Sequence, residues 1–518
     1  MLMSRKQEET TIKVTNIISS SRKCFLAICI VVSITFFSYS TFSRHPGWLG
    51  YSKSNPNFLH FDHTTKISTD TSLLGSEQQT NISHIVFGIS SSVKTWTGRR
   101  DYCELWWKPN ITRGFVWLDE KPPDNVTWRN TSPPYMVSQN TSRFKYTCWI
   151  VKESFELGLE NVRWFVMGDD DTVFFLENLV TVLGKYDHNQ MYYIGGNSES
   201  VEQDVIHSYA IAYGGGGFAV SYALAAELVR ILDGCIDRYA ELYGGDQKVG
   251  ACVTELGVPL TVELGFHQVD LKGDPYGLLA AHPVAPLVSL HHVDSMQPLF
   301  PCLTKLDSLK KLVQTHNSDP GRIVQQSFCY DLSRNWSVSV SWGYTVQLYP
   351  SLVTSKVLQT PFQTFVTWKS SSQGPFIFNT RVFSPDPCDR PVIFFLDQAE
   401  MVKMGETLTT YKKVLAEPGL GCFRTEYVNV TLVQLVNVSA ATFQSNTWKK
   451  APRRQCCEIV NGGTNGADSS KTIVNILVHK KGRLEVERSK ISYKKRPNLN
   501  KKAQYVDISI YILNTTEI

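Results

Sequence analysis

The sequence predicts an open α/β domain over residues 81–304, a mostly β accessory domain over 305–518, and a single membrane-spanning helix ahead of both. Three observations carry this reading. An apolar run from Trp164 to Met167 ends in Gly168 and three consecutive carboxylates, Asp169, Asp170 and Asp171. Short apolar strands alternate with helical spacings through the first half of the chain, as strand–helix–strand units do. Beyond about Lys305 the pattern turns to period-two alternation, as in Trp336-Ser337-Val338-Ser339-Val340-Ser341, which suits strands with one apolar face.

At 518 residues the chain exceeds one ordinary domain. A net charge of +5 is too mild to imply nucleic acid. Cys24 to Phe42 carries no charge and follows Arg22-Lys23; it is just long enough to span a bilayer as a helix. Arg5, Lys6, Lys13, Arg22 and Lys23 precede it, and only Arg44 follows closely. The expected arrangement is therefore a cytosolic tail over 1–23, an uncleaved signal anchor over 24–42 and a Ser/Thr-rich stem over 43–80. A cleaved signal peptide is the competing reading, and both put the bulk of the chain in a lumenal or extracellular compartment. Asn-X-Ser/Thr acceptors at Asn81, Asn110, Asn125, Asn130, Asn140, Asn335, Asn429, Asn437 and Asn514 all lie beyond the apolar segment. Of the 12 Cys, ten lie there too. None has zinc-type spacing, so disulfides are expected, with Cys456 and Cys457 each seeking a distant partner.

Taken in order, Ser83 to Ile89 reads as a first buried strand, followed by Ser90-Ser91-Ser92 and a helix through Arg99, Arg100 and Trp106. Strand, small-residue turn and helix form the usual opening of a nucleotide-binding α/β unit. Thr112 to Leu118 reads as a second strand, 124–134 as an exposed loop, and Phe144 to Leu157 as a helix. The strand that ends in the triplet comes next. Three adjacent anions cannot be buried without a cation, and oxygen ligands suit a hard divalent ion such as Mg²⁺, Mn²⁺ or Ca²⁺. The plainer alternative is a solvated acidic turn. Leu176 to Tyr186 has helical spacing and Tyr192 to Gly196 returns as a strand. Gly214-Gly215-Gly216-Gly217-Phe218 then runs straight into a helix from Ala223, which implies backbone passing close to something or adopting positive φ. It is not a phosphate loop, since no Gly-Lys-Ser/Thr follows. Asp246, after two glycines, is expected either to cap the next helix or to project into the site.

The ordered set of Trp164-Phe165, Asp169-Asp170-Asp171, Gly215-Gly216-Gly217-Phe218, Gly245-Asp246 and Phe266-His267 resembles the Fringe-type β1,3-glycosyltransferases. Glu255 to Leu260, Ala280 to Pro283 and His291-His292 are similar to the plant Fringe-related DUF604 group. The likeness runs from about His84 to Pro301. It implies a GT-A fold, a Rossmann-like sheet that binds a UDP-sugar, and an inverting transfer in the Golgi with a divalent ion, Mn²⁺ or Mg²⁺. Carried onto this chain, it makes Asp169, Asp170, Asp171 and His267 metal ligands and Asp246 the general base. Gly215, Gly216, Gly217, Phe218 and Arg100 would line the donor and acceptor site. The sugar would be a hexose or N-acetylhexosamine, and the acceptor a glycan or glycoprotein. The pattern departs at Gln247, where many relatives carry a second Asp. That departure motivates a rival reading, a Fringe-like glycan-binding protein without turnover. A glycoside hydrolase needs two carboxylates flanking the bond, and three clustered in one place argue against it.

Overall fold

The computed structural model describes residues 79–125, 127–139, 147–403, 405–414, 421–460 and 472–479. The expected tail, anchor and most of the stem, and the acceptors Asn140 and Asn514, lie outside these residues. No helix among the described residues is long and apolar enough to cross a membrane.

Seven strands form a mixed sheet in the order Tyr135–Val137, Arg113–Leu118, Ile85–Ser90, Trp164–Asp169, Phe218–Ser221, Tyr193–Gly195 and Leu260–Val262. The first four are parallel, and Phe218–Ser221 runs antiparallel to both neighbours. Ile85 to Phe87 and Trp164 to Met167 are almost wholly buried, because parallel strands covered on both faces read as unbroken apolar runs. On one face Trp149, Ile150, Leu224, Leu228, Leu232, Val249 and Val253 form a core under the helices Thr147–Glu156, Tyr222–Arg238 and Gly245–Glu255. On the other face the sheet's side chains join a cluster that continues through Phe174, Leu290 and Phe300 into Trp342, Tyr344 and Val436.

Those last residues belong to the C-terminal part, a closed barrel of eight strands. Its order is Gln326–Asp331, Trp336–Ser341, Thr345–Tyr349, Val392–Lys403, Glu406–Lys413, Val433–Ala441, Thr472–His479 and Gln455–Val460. The alternation in Trp336 to Ser341 does not put serines in water. Ser337, Ser339 and Ser341 are as buried as Val338 and Val340, because segments outside the barrel wall cover the serine face. Ser341 Oγ, for example, donates to the Leu279 carbonyl at 2.9 Å. Disulfides join Cys329 to Cys457 and Cys388 to Cys422 in this part, and Cys235 to Cys252 between two sheet-packing helices.

Two small sheets tie the halves to the site. Val173–Phe174, Ser289–Leu290 and Phe266–His267 form one, with Ser289–Leu290 in the middle. Leu271–Gly273 pairs antiparallel with Phe365–Thr367 in the other. Asn110, Asn125, Asn130, Asn335 and Asn429 are exposed. The Asn437 amide instead donates to Asn475 across two barrel strands at 3.2 Å, and Asn81 caps a short turn by accepting from Ser83 N–H at 2.9 Å.

Candidate active site

The triplet sits at the carboxyl end of Trp164–Asp169, the central strand of the seven. Its three carboxylates go to different places. Asp170, buried, accepts from the Ser91 and Thr95 hydroxyls, each at 2.7 Å, and from Arg99 Nη1 at 3.1 Å. It is consumed in anchoring the helix Val93–Glu104 and offers little to a ligand. Asp171 is fully buried, yet neither of its oxygens accepts a well-formed hydrogen bond. Its nearest cations are His291 Nε2 at 3.2 Å and Arg99 Nη1 at 3.3 Å. Asp169 is about a third exposed, with Oδ2 3.7 Å from the same His291 nitrogen.

Asp169, Asp171 and His291 are the one group of three such side chains among the described residues that could hold a metal ion. His291 suits the part. Its Nδ1–H donates to the Gln268 carbonyl at 3.2 Å, which turns Nε2 toward the carboxylates and fixes the ring. Burial pulls the His291 imidazole down, but Asp171 and Asp169 outweigh it and push it up to about 9. For Asp169, burial acts with the charges of Asp171, Asp170 and Asp246, against His291, to raise it to about 7. Burial would also raise Asp171, but His291 and Arg99 hold it well below the usual carboxylate range. A buried acid whose only partners among the described residues are two cations at 3.2 and 3.3 Å, a second acid forced toward protonation and an imidazole aimed between them are a donor set that a divalent cation would satisfy.

The glycine run packs against this group. A Cβ on Gly215 would fall 2.1 Å from His291 Cε1, and Gly217 has φ of +81°. Thr172 Oγ1 donates to the Gly215 carbonyl at 2.7 Å and accepts from Asp169 N–H at 2.8 Å. Gly216 N–H donates to Gln268 Oε1 at 2.6 Å. The glycines are therefore needed for the close approach of loop, triplet and histidine.

Asp246 lies in the first turn of the helix Gly245–Glu255. Gly244, not Asp246, is its cap. The Asp246 carboxylate accepts from Gly214 N–H at 3.2 Å and Gln247 N–H at 2.9 Å. Burial raises it, against those two hydrogen bonds, and its charge adds to those that raise Asp169.

Residues 115–275 match the family described as Fringe-like, and residues 203–457 match the family described as a protein of unknown function, DUF604. The chain thus carries a Fringe-like domain and a DUF604 domain that overlap. No curated protein matches it. The Fringe-like match spans the triplet, the glycine run and Asp246, whereas His291 lies beyond it and inside the DUF604 match.

Within this Fringe-related chain, several residues expected at the site stand elsewhere. His267 is not among the group around the triplet. Its Nδ1 contacts Glu199 Oε1 at 3.0 Å and its Nε2 contacts His282 Nε2 at 2.9 Å. His282 gives its own Nδ1–H to the Pro283 carbonyl at 2.8 Å, so its Nε2 accepts from His267. Phe218 is fully buried against Tyr193 in the core, ring centroids 5.5 Å apart, and cannot line a site. Arg99, rather than Arg100, reaches the acids, spanning Asp170, Asp171 and Asp294. Gln247 serves the helix itself. Its Oε1 accepts from Gly244 N–H at 3.1 Å, closing the start of the helix, and its Nε2 donates to the His207 carbonyl at 3.1 Å. His291 was visible in the sequence only as part of the His291-His292 pair.

Proposed function

We propose that this chain is a Mn²⁺- or Mg²⁺-dependent glycosyltransferase of GT-A type. It would move a hexose or N-acetylhexosamine from a UDP-sugar to a hydroxyl of a glycan or glycoprotein, with inversion and a β1,3 linkage. The proposal includes a type II orientation in the Golgi membrane, with the described residues lumenal. The observation that carries the reading is the group of Asp169, Asp171 and His291, in which, among the described residues, the buried Asp171 carboxylate meets only His291 Nε2 at 3.2 Å and Arg99 Nη1 at 3.3 Å.

Asp169, Asp171 and His291 would hold the cation. When bound, it supplies Lewis-acid neutralisation of the charge that develops on the UDP leaving group. The chain's own residues do the rest. Arg99 offsets the acids, Gln268 keeps the His291 lone pair turned inward, and the Gly215 backbone leaves room for that ring. Asp246 accepts the proton of the acceptor hydroxyl as that oxygen attacks the sugar's anomeric carbon and the bond to UDP breaks. A base held by two backbone N–H groups keeps its orientation, and burial keeps it basic enough to take the proton. The rival reading of a non-catalytic glycan binder rested on Gln247. The Gln247 side chain bonds to Gly244 N–H and the His207 carbonyl, and only its backbone N–H reaches the Asp246 carboxylate.

The test is release of UDP from a panel of UDP-sugars with Mn²⁺, alongside thermal stabilisation by Mn²⁺ plus UDP. Wild type should release UDP from at least one donor and be stabilised. Asp171→Ala should lose both. Equal stabilisation of wild type and Asp171→Ala would remove the site.

A further inference from the structure

His291 is not held by its hydrogen bond alone. The next residue, His292, has φ of +52°, a conformation an L side chain keeps only when its surroundings enforce it. The His292 ring lies against that of His291, with centroids 3.7 Å apart. It also stacks on Trp368, with centroids 4.4 Å apart and planes 1° from parallel. Trp368 arrives from the C-terminal half. The strand Phe365–Thr367 pairs with Leu271–Gly273, in the register Leu271 to Thr367 and Gly273 to Phe365. Trp368 N–H then donates to the Asp270 carbonyl at 3.0 Å. The Asp270 carboxylate stands 3.3 Å from His292 Nδ1. Three rings in series thus run from the end of the strand Phe365–Thr367 to the candidate cation ligand.

We propose that Trp368 is a positioning residue for the cation site, acting through the His292 ring to fix the orientation of His291. The inference rests on the cation reading given above. Residues 365–368, like His291, lie beyond the Fringe-like match, which ends at residue 275, so the chain past that match completes a site whose acids and base lie within it. Stacked aromatic pairs prefer defined offsets and planes, so the stack resists rotation of His292 and, through it, of His291. Partners that orient a metal ligand typically change metal affinity about 10–100-fold when removed.

The test is Mn²⁺ titration of the full-length chain, followed by the electron paramagnetic resonance signal of free Mn²⁺, with no substrate present. Trp368→Ala should weaken Mn²⁺ binding about 10-fold or more, whereas Trp368→Phe, which keeps a stacking face, should bind nearly as wild type does. His292→Ala should reproduce the loss with the Phe365–Thr367 pairing intact, and it decides the matter should Trp368→Ala fold poorly. His291→Ala should abolish binding. If His291→Ala loses binding while Trp368→Ala or His292→Ala, folded as judged by its metal-free melting temperature, binds with wild-type affinity, Trp368 has no positioning role. If wild type itself binds no Mn²⁺, the cation reading and this inference fall together.

Discussion

Among single residues, the three adjacent aspartates show how little residue type says about role. Asp170 is held by Ser91, Thr95 and Arg99, while Asp171, one position later, is buried with only the His291 and Arg99 cations beside it. The protonation of the group sets a pH dependence whose sign can be worked out. Asp169 is raised from 3.8 to about 7 and His291 from 6.5 to about 9. Both groups bind protons more tightly folded than unfolded. Their contribution to metal-free stability is therefore present at low pH, and it is lost between pH 3.8 and 7 for Asp169 and between 6.5 and 9 for His291. A cation takes the place of those protons. Mn²⁺ affinity should thus rise about tenfold per pH unit between about pH 7 and 9, and more steeply below 7, where Asp169 must also lose its proton. Isothermal titration across that range checks it, and a flat profile would exclude His291 as a ligand. Asp246→Asn keeps the shape but removes the base; transfer to an acceptor should fall about 10²–10⁴-fold with Mn²⁺ affinity little changed.

At the scale of elements, the site is made by loops converging between two sheets. Ser289–Leu290 is the piece that matters most, because it bridges Val173–Phe174 and Phe266–His267 and carries His291 at its end. The glycine run must then pass within contact of that imidazole. In Gly215→Ala, a Cβ would sit 2.1 Å from His291 Cε1, so either the ring or the loop has to move. The expected result is loss of Mn²⁺-dependent thermal stabilisation, with a metal-free melting temperature lowered far less than for a core truncation. Strand and helix positions were largely legible from periodicity. The first strand, the triplet strand and the helix at Leu176 lie within about two or three residues of their expected places, because apolar spacing is imposed locally by burial. The helix cap was not legible. Two consecutive glycines and an acid fit either Gly244 or Asp246 as cap, and only the Gln247 side chain folding back to Gly244 N–H decides it.

At the scale of the molecule, the barrel and the mixed sheet share one hydrophobic cluster that runs from Ile85 to Val478. The barrel is more than an appendage, since its core residues continue the cluster that covers one face of the sheet. Its closure depends on Gln455–Val460 meeting Gln326–Asp331, where Cys457 bridges to Cys329 across 128 residues of sequence. Replacing both cysteines with serine should cost about 2–5 kcal/mol, because so long a loop is freed in the unfolded chain. Differential scanning calorimetry should show a lower melting temperature. The Cys388–Cys422 pair, with a separation of 34, should contribute less by the same argument.

The sequence by itself determined that an apolar strand ends in a cluster of acids, that a glycine run must pass something closely, and that the second half is β. Each follows from local rules of charge, chirality and periodicity. Only the tertiary structure decided which histidine meets the acids. Leu290 pairs with His267, so the two share a face of the small sheet, and His291, one residue on, turns to the other. Successive residues of a strand point to opposite faces. That alternation sends His267 to Glu199 and His282, and His291 to Asp169 and Asp171. The pairing register that sets it is a long-range contact the linear spacing does not contain.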